Sequence, residues 1–167
     1  IFDSRENMKV AWNKVNEKLR LNINFNDYFS KIGKPFEKIL QELKVHRTKV
    51  SRAKNIFRHY SIKNFNKITV YPSVIPTIRL LRKKKYNLAI ITSKEKYRAN
   101  KLLKKFGFKF KYVQCPVKGK KGKPYPFLLN DLIKKIKIKK TLTYYVGDTF
   151  IDYKFAKNSK INFIFCL

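Results

Sequence analysis

From Asn87 onward, short apolar runs alternate with helix-patterned segments, and this alternation limits the possible folds more than any other feature of the chain. "NLAIIT" (87–92), "FKYVQC" (110–115), "LTYYV" (142–146) and "INFIFC" (161–166) are too short for helices and rich in β-branched and aromatic residues. They read as strands buried in a sheet. Between them, "KEKYRANKLLKKFG" (94–107), "PYPFLLNDLIKKIKI" (124–138) and "TFIDYKFAKNS" (149–159) carry helical spacing, the first stopped by Gly107. Strands that alternate with helices imply an α/β fold, a parallel sheet with helices on both faces. A helix with Val74, Ile75, Ile78, Leu80 and Leu81 precedes them and ends in the basic run Arg82 to Lys85, which suits a negative helix C-terminus.

The first part of the chain is patterned for helices alone. After the cap-type residues Asp3 and Ser4, Met8, Ala11, Trp12, Val15 and Leu19 share one helical face. The pattern breaks at Gly33-Lys34-Pro35 and resumes with Phe36, Ile39, Leu40 and Leu43, then with Val50, Ala53, Ile56, Phe57 and Tyr60.

Composition narrows the class of function. Lys plus Arg number 41 against 10 Asp plus Glu, a net charge of +31, which attracts phosphorylated metabolites, nucleic acid or anionic surfaces. The lysines are spread through nearly every segment, which favours a generally solvated cationic surface over a dedicated binding arm. Cys115 and Cys166 lie far apart in apolar stretches and predict reduced, structural thiols, not a disulfide framework. His46 and His59 have no metal-ligand partners at suitable spacing and read as surface or cap residues. No run approaches the roughly 20 apolar residues of a membrane helix and no signal peptide is visible, so the expectation is a cytoplasmic protein that engages no membrane.

Three stretches fall at the carboxyl ends of the expected strands, where open α/β sheets bind ligands. "IITSK" ends on Thr92 and Ser93, whose hydroxyls and backbone N–H groups suit phosphate oxygens. "GKPYP" sets Lys123 just before a helix, a cation able to neutralise a phosphoryl group that gains charge during reaction. "YYVGDTFID" ends its strand at Gly147 and Asp148, with Asp152 four residues on, and both carboxylates suit Mg²⁺ shared with a phosphate. Read singly, Thr92 and Asp148 are equally good as helix caps, and Lys123 is one cation among many. Their order along the chain is the informative feature.

That ordered set resembles the haloacid dehalogenase superfamily of phosphatases, in the capped subfamily I that includes phosphoglycolate phosphatase and β-phosphoglucomutase. "YPSVIPTIRLLRKKKYNLAIITSK" is similar to the family's Pro-Gly-Val helix, strand and Ser/Thr signature, with Ser73 where glycine is usual and Ser93 where asparagine is common. "GKPYP" resembles the lysine signature and "VGDTFID" the acidic one. "IFDSRENM" resembles only the tail of the first signature, Asp-x-Asp-Gly followed by Asp-Ser, with Asp3 and Ser4 matching the later pair.

The resemblance implies a three-layer Rossmann-like parallel sheet core with a small helical cap. Residues 1–18 would be the start of the core and a hinge helix, 19–68 the cap and 69–167 the α/β core. It also implies a Mg²⁺-dependent phosphate-monoester hydrolase that works through an aspartyl-phosphate on a small phosphorylated substrate. Thr92, Lys123 and Asp148 would be catalytic, Thr92, Ser93 and Lys123 phosphate-binding, and Asp148 and Asp152 the metal pair. The nucleophile and the general acid/base of the first signature are matched nowhere. Asp3 with Arg5 two residues on does not replace them, because arginine cannot exchange the proton. The expectation is therefore a chain shortened at both ends and inactive as given. Two rival readings stand beside this one: a basic module that grips nucleic acid or another polyanion, and a family member that binds phosphate without turnover.

Overall fold

A computed structural model of the chain describes residues 1–166. Two compact units emerge: Ile1–Ile32 with Phe36–Asn87, and Gly33–Pro35 with the residues from Leu88 onward.

The first unit is built on helices α1 (Arg5–Leu19), α2 (Phe25–Phe29), α3 (Phe36–Glu42) and α4 (Arg47–Lys63). The expected stripes form its core: Ala11, Trp12, Val15, Leu19, Ile39, Leu40, Ala53 and Phe57 are buried together. Trp12 stacks on Tyr28 at 4.4 Å between ring centroids and donates its indole N–H to the Ile23 carbonyl at 3.0 Å. Ser4, Asn7 and Ser61 are buried although polar. Asn7 is fully enclosed, donating to the carbonyls of Ser61 (2.9 Å) and Asn64 (2.8 Å) and accepting from the Ser61 hydroxyl (2.9 Å), so every polar atom is satisfied. His46 caps α4, its ring accepting from the Thr48 N–H.

The same unit departs from the sequence expectation in two places. Asp3 does not open a helix; Phe2–Asp3 form β1, paired antiparallel with β2 (Thr69–Val70), and the Asp3 carboxylate accepts from the Arg5 N–H at 2.9 Å. In α5 (Val74–Lys83) only Ile78 of the expected apolar stripe is buried, while Ile75 and Leu80 are 40% and 52% exposed.

The second unit holds the α/β pattern. β3 (Ala89–Ile91) pairs parallel with β4 (Tyr112–Gln114), and β5 (Tyr144–Gly147) pairs parallel with β6 (Asn162–Phe165). Helices α6 (Lys96–Lys105), α7 (Phe127–Ile136) and α8 (Phe150–Ser159) connect or follow them. Gly107, at φ +68°, stops α6 in the left-handed conformation that costs glycine little, and the Phe108 N–H closes back on the Leu103 carbonyl at 2.8 Å.

Leu128, Leu129, Ile133 and Phe155 form this unit's core, with Ile91, Tyr145 and Ile161 packed against it. The two ladders are not hydrogen-bonded to each other as strands; the Tyr145 hydroxyl bridges them by reaching the Ile91 carbonyl at 3.4 Å. Tyr144, Val146 and Ile164, on the opposite register from Tyr145, are 61%, 55% and 47% exposed. Cys115 is buried, Cys166 is exposed and both thiols are free. Among the described residues no helix is long and apolar enough to cross a membrane.

Candidate active site

The carboxyl ends of β3 and β5 meet around Tyr145, and every expected site residue lies in this one unit. β5 points Tyr145 into the α7–α8 core, where a buried phenol needs a polar partner for its hydroxyl. Lys123 supplies one: its ammonium donates to the Tyr145 oxygen and, at 2.8 Å, to Asp152 Oδ1. It also stands over the rings of Tyr145 and Phe155, 5.0 and 5.5 Å from their centroids. Only 8% of Lys123 is exposed, so this lysine is an enclosed cation, unlike its many solvated neighbours in sequence.

Asp152 is fixed from both sides. Thr149 opens α8 and forms a capping box with it, the Thr149 hydroxyl donating to Asp152 Oδ2 at 2.6 Å and the Thr149 backbone N–H at 3.3 Å. Tyr145 approaches Oδ1 at 3.2 Å. Burial pulls the Asp152 pKa upward, but the Lys123 charge and the hydrogen bonds from Lys123, Thr149 and Tyr145 outweigh it and hold the carboxyl below its ordinary value. Tyr145 is driven well above the ordinary phenol range, first by burial and then by Asp152 and Asp148, so it remains a neutral donor. Gly147 makes this approach possible, since a Cβ there would lie 2.4 Å from the Asp152 Cβ.

Asp148 differs from Asp152. It is exposed at the strand end and makes no hydrogen bond or ion pair among the described residues, although its charge is felt at both Tyr145 and Lys94. A free carboxylate at such a position suits a hard cation, and Mg²⁺ needs only one or two protein carboxylates when phosphate oxygens and water complete its shell. Among the described residues no three His, Cys, Asp or Glu side chains cluster, so a cation here would depend on Asp148 together with ligand oxygens.

Thr92 extends the β3 ladder, its N–H donating to the Gln114 carbonyl at 3.0 Å, and its hydroxyl accepts from the Lys94 N–H at 3.1 Å while keeping its own proton to donate. Ser93 is exposed beside it. Tyr145, Thr149 and Lys94 were not singled out by the motifs. Tyr145 was legible only as a strand residue, Thr149 as a helix start, and Lys94 as one of many cations.

The parallel-stranded unit thus gathers an enclosed ammonium, an unpaired carboxylate and a hydroxyl-bearing turn at its strand ends. The haloacid dehalogenase-like hydrolase family model matches residues 1–166, and the chain belongs to that family. Solved structures share the fold. A haloacid dehalogenase-like hydrolase from Bacteroides fragilis superposes with a TM-score of 0.89 at 20% identity, over 98% of this chain and 80% of that one. A protein named as a phosphoglycolate phosphatase from Lactobacillus delbrueckii subsp. bulgaricus gives 0.86 at 20% identity, with 98% and 80% covered. Protein Tyrosine Kinase A from Mycobacterium tuberculosis gives 0.82 at 18% identity, with 98% and 77% covered. No curated protein matches the chain.

Proposed function

We propose that the protein is a phosphate-monoester hydrolase that acts on a small phosphorylated substrate through an aspartyl-phosphate, with Mg²⁺ as cofactor. The observation that carries this reading is the contrast between the two acidic residues of one crevice. Asp152 is spent on Lys123, Thr149 and Tyr145, whereas Asp148 stands unpaired beside them.

In this reading Thr92 and Ser93 hold phosphoryl oxygens by hydroxyl and backbone donors, and Lys123 supplies fixed positive charge where negative charge builds up on the phosphoryl group. Because Lys123 is already oriented by Asp152 and Tyr145, little reorganisation is needed at the moment of reaction. Asp148 would hold the Mg²⁺, which when bound supplies charge neutralisation at the phosphoryl oxygens. Asp152 supports the site through Lys123 and through the capping box that fixes the start of α8.

The chemistry is a carboxylate attack on phosphorus with departure of the alcohol, followed by attack of water on the aspartyl-phosphate. Neither crevice aspartate is suited to that attack, and the resemblance assigns it to an Asp-x-Asp-Gly sequence that these residues do not contain. The division into 1–18, 19–68 and 69–167, and a cytoplasmic location, belong to the same reading. The test is release of phosphate from a panel of phosphate monoesters by the full-length polypeptide with Mg²⁺, beside Asp148→Ala. Hydrolysis by the parent and not by the variant is expected; equal rates in both would remove Asp148 from the site.

A further inference from the structure

The lysines of the chain are spread over every segment, but the arginines are not. Three of the eight, Arg47, Arg52 and Arg58, lie on α4, a helix of 17 residues with no acidic residue of its own. Two of the other α4 cations are already engaged: Lys49 donates to the Leu19 carbonyl at 3.0 Å, and Lys54 pairs with Glu37 at 3.0 Å on the surface. The side chains of Arg47, Arg52, Arg58 and Lys63 are exposed and make no hydrogen bond or ion pair among the described residues.

Helical geometry sorts these open groups into two rows. Arg47 and Arg58 run along one flank of the uncovered face, and Arg52, His59 and Lys63 along the other, roughly 130° round the axis, each row covering about 16 Å of the helix. Between the rows lie neutral side chains, Ser51, Asn55 and Ile62. A groove of about 460 Å³ opens on that strip, lined by Asn55, Arg58, His59, Ile62 and Lys63. It therefore has cationic groups on both walls and no negative charge in its floor. The packing of the unit does not require this face, because α4 meets its neighbours through the opposite one, where Ala53, Phe57 and Ser61 are buried. Unpaired cations along both flanks of one helix repel each other, and a polyanion that carries its charge on two lines relieves the repulsion.

We propose that the exposed face of α4 binds double-stranded DNA, seated in the major groove with its two cationic rows against the two phosphate backbones. The B-form major groove, about 12 Å wide, admits a helix of about 10–12 Å diameter. The major groove of duplex RNA is too deep and narrow for one, and a single strand offers one line of phosphates where α4 presents two rows. Arginine suits the role because its planar fork of donors matches phosphate oxygens. The neutral strip between the rows removes any carboxylate from the path of the incoming bases and backbone. The net charge of +31 adds long-range attraction to the duplex. No residue of the strand-end crevice takes part, so this binding stands apart from the phosphate-monoester reading.

The experiment is fluorescence anisotropy of a labelled DNA duplex of about two helical turns, titrated with the full 167-residue chain at several salt concentrations, with a melting curve for each variant. It compares the parent with Arg52→Gln/Arg58→Gln, with Lys63→Gln, and with Lys83→Gln/Lys104→Gln, which removes the same charge from exposed positions of α5 and α6. The arginine pair should weaken binding by about tenfold or more and reduce the slope of log affinity against log salt by about 2. Lys63→Gln should reduce that slope by about 1 and weaken binding by about threefold, and it carries the test alone if the double variant melts below the parent. The control pair should stay within about twofold of the parent. Equal weakening by the control pair would overturn the proposal, because only the general charge of the chain would then be felt. It is also overturned if an RNA duplex of the same sequence binds as tightly as the DNA, or if the parent binds no DNA. None of these results bears on phosphate release from monoesters, so the two readings fail separately.

Discussion

Asn7 and Lys123 are both buried polar residues at the heart of their units, and they are buried on different terms. Around Asn7 everything is neutral and every donor and acceptor is matched, by Ser61 and Asn64. Around Lys123 the groups are charged, and the matching stops part-way: Asp152 is saturated, while Asp148 is left without a partner. A closed neutral network ties α1 to α4 and asks for nothing more. An open charged one carries electrostatic cost into the folded state, which a ligand of opposite sign can relieve. The difference separates a self-contained polar cluster from an open one without any appeal to motif.

The sharpest way to break the comparison is to cut the ion pair. Lys123→Met should destabilise the chain by about 3 kcal/mol, because it strands the buried Asp152 carboxylate, and should abolish phosphate binding as well. Chemical denaturation and phosphate titration check the two effects. Gly147→Ala comes next, since its methyl group would collide with Asp152 and displace it from Lys123 and Thr149; a loss of about 2 kcal/mol is expected, together with weakened phosphate binding. Asn7→Ala should cost about 2 kcal/mol by leaving the Ser61 and Asn64 partners unmet, with phosphate affinity unchanged.

The acid limb of stability sharpens the comparison further. Asp152 has a folded pKa below its unfolded value, so its contribution is complete above about pH 4 and is lost as pH falls through the lower folded value. Lys123→Met should flatten that part of the curve in pH-dependent melting, whereas Asn7→Ala should leave its shape intact. Asp148→Asn has the smallest expected effect on stability, within about 0.5 kcal/mol, because the carboxylate is exposed and unpaired.

What the sequence disclosed follows the same division. Ala11, Trp12, Val15, Ala53 and Phe57 were legible because apolar residues at helical spacing have one economical way to pack. The parallel strands were legible from their short apolar runs and the helices between them. The two-residue strands β1 and β2 were not, since two residues carry no period. Asn7 was invisible for a related reason: a polar residue in an amphipathic helix reads as surface until its partners on another helix are known.

Within the crevice, Thr92, Lys123, Asp148 and Asp152 were singled out as candidates by their order along the chain. Their distinct situations, the saturated Asp152 against the open Asp148, depend on contacts that span many residues, as between Lys123 and Asp152. Tyr145 and Lys94 carry no local pattern at all. A strand tyrosine acquires meaning only when the fold brings its hydroxyl to Asp152, and one cation among 41 only when it feels the charge of Asp148.

The central claim is that Asp148 is left open for a cation that shares a phosphate with the Lys123 ammonium. Phosphate affinity measured with and without Mg²⁺, for the parent chain and for Asp148→Ala, tests it most directly. Mg²⁺ should tighten phosphate binding to the parent by about tenfold or more and leave the variant unaffected. The same gain in both proteins, or none in the parent, would contradict the account.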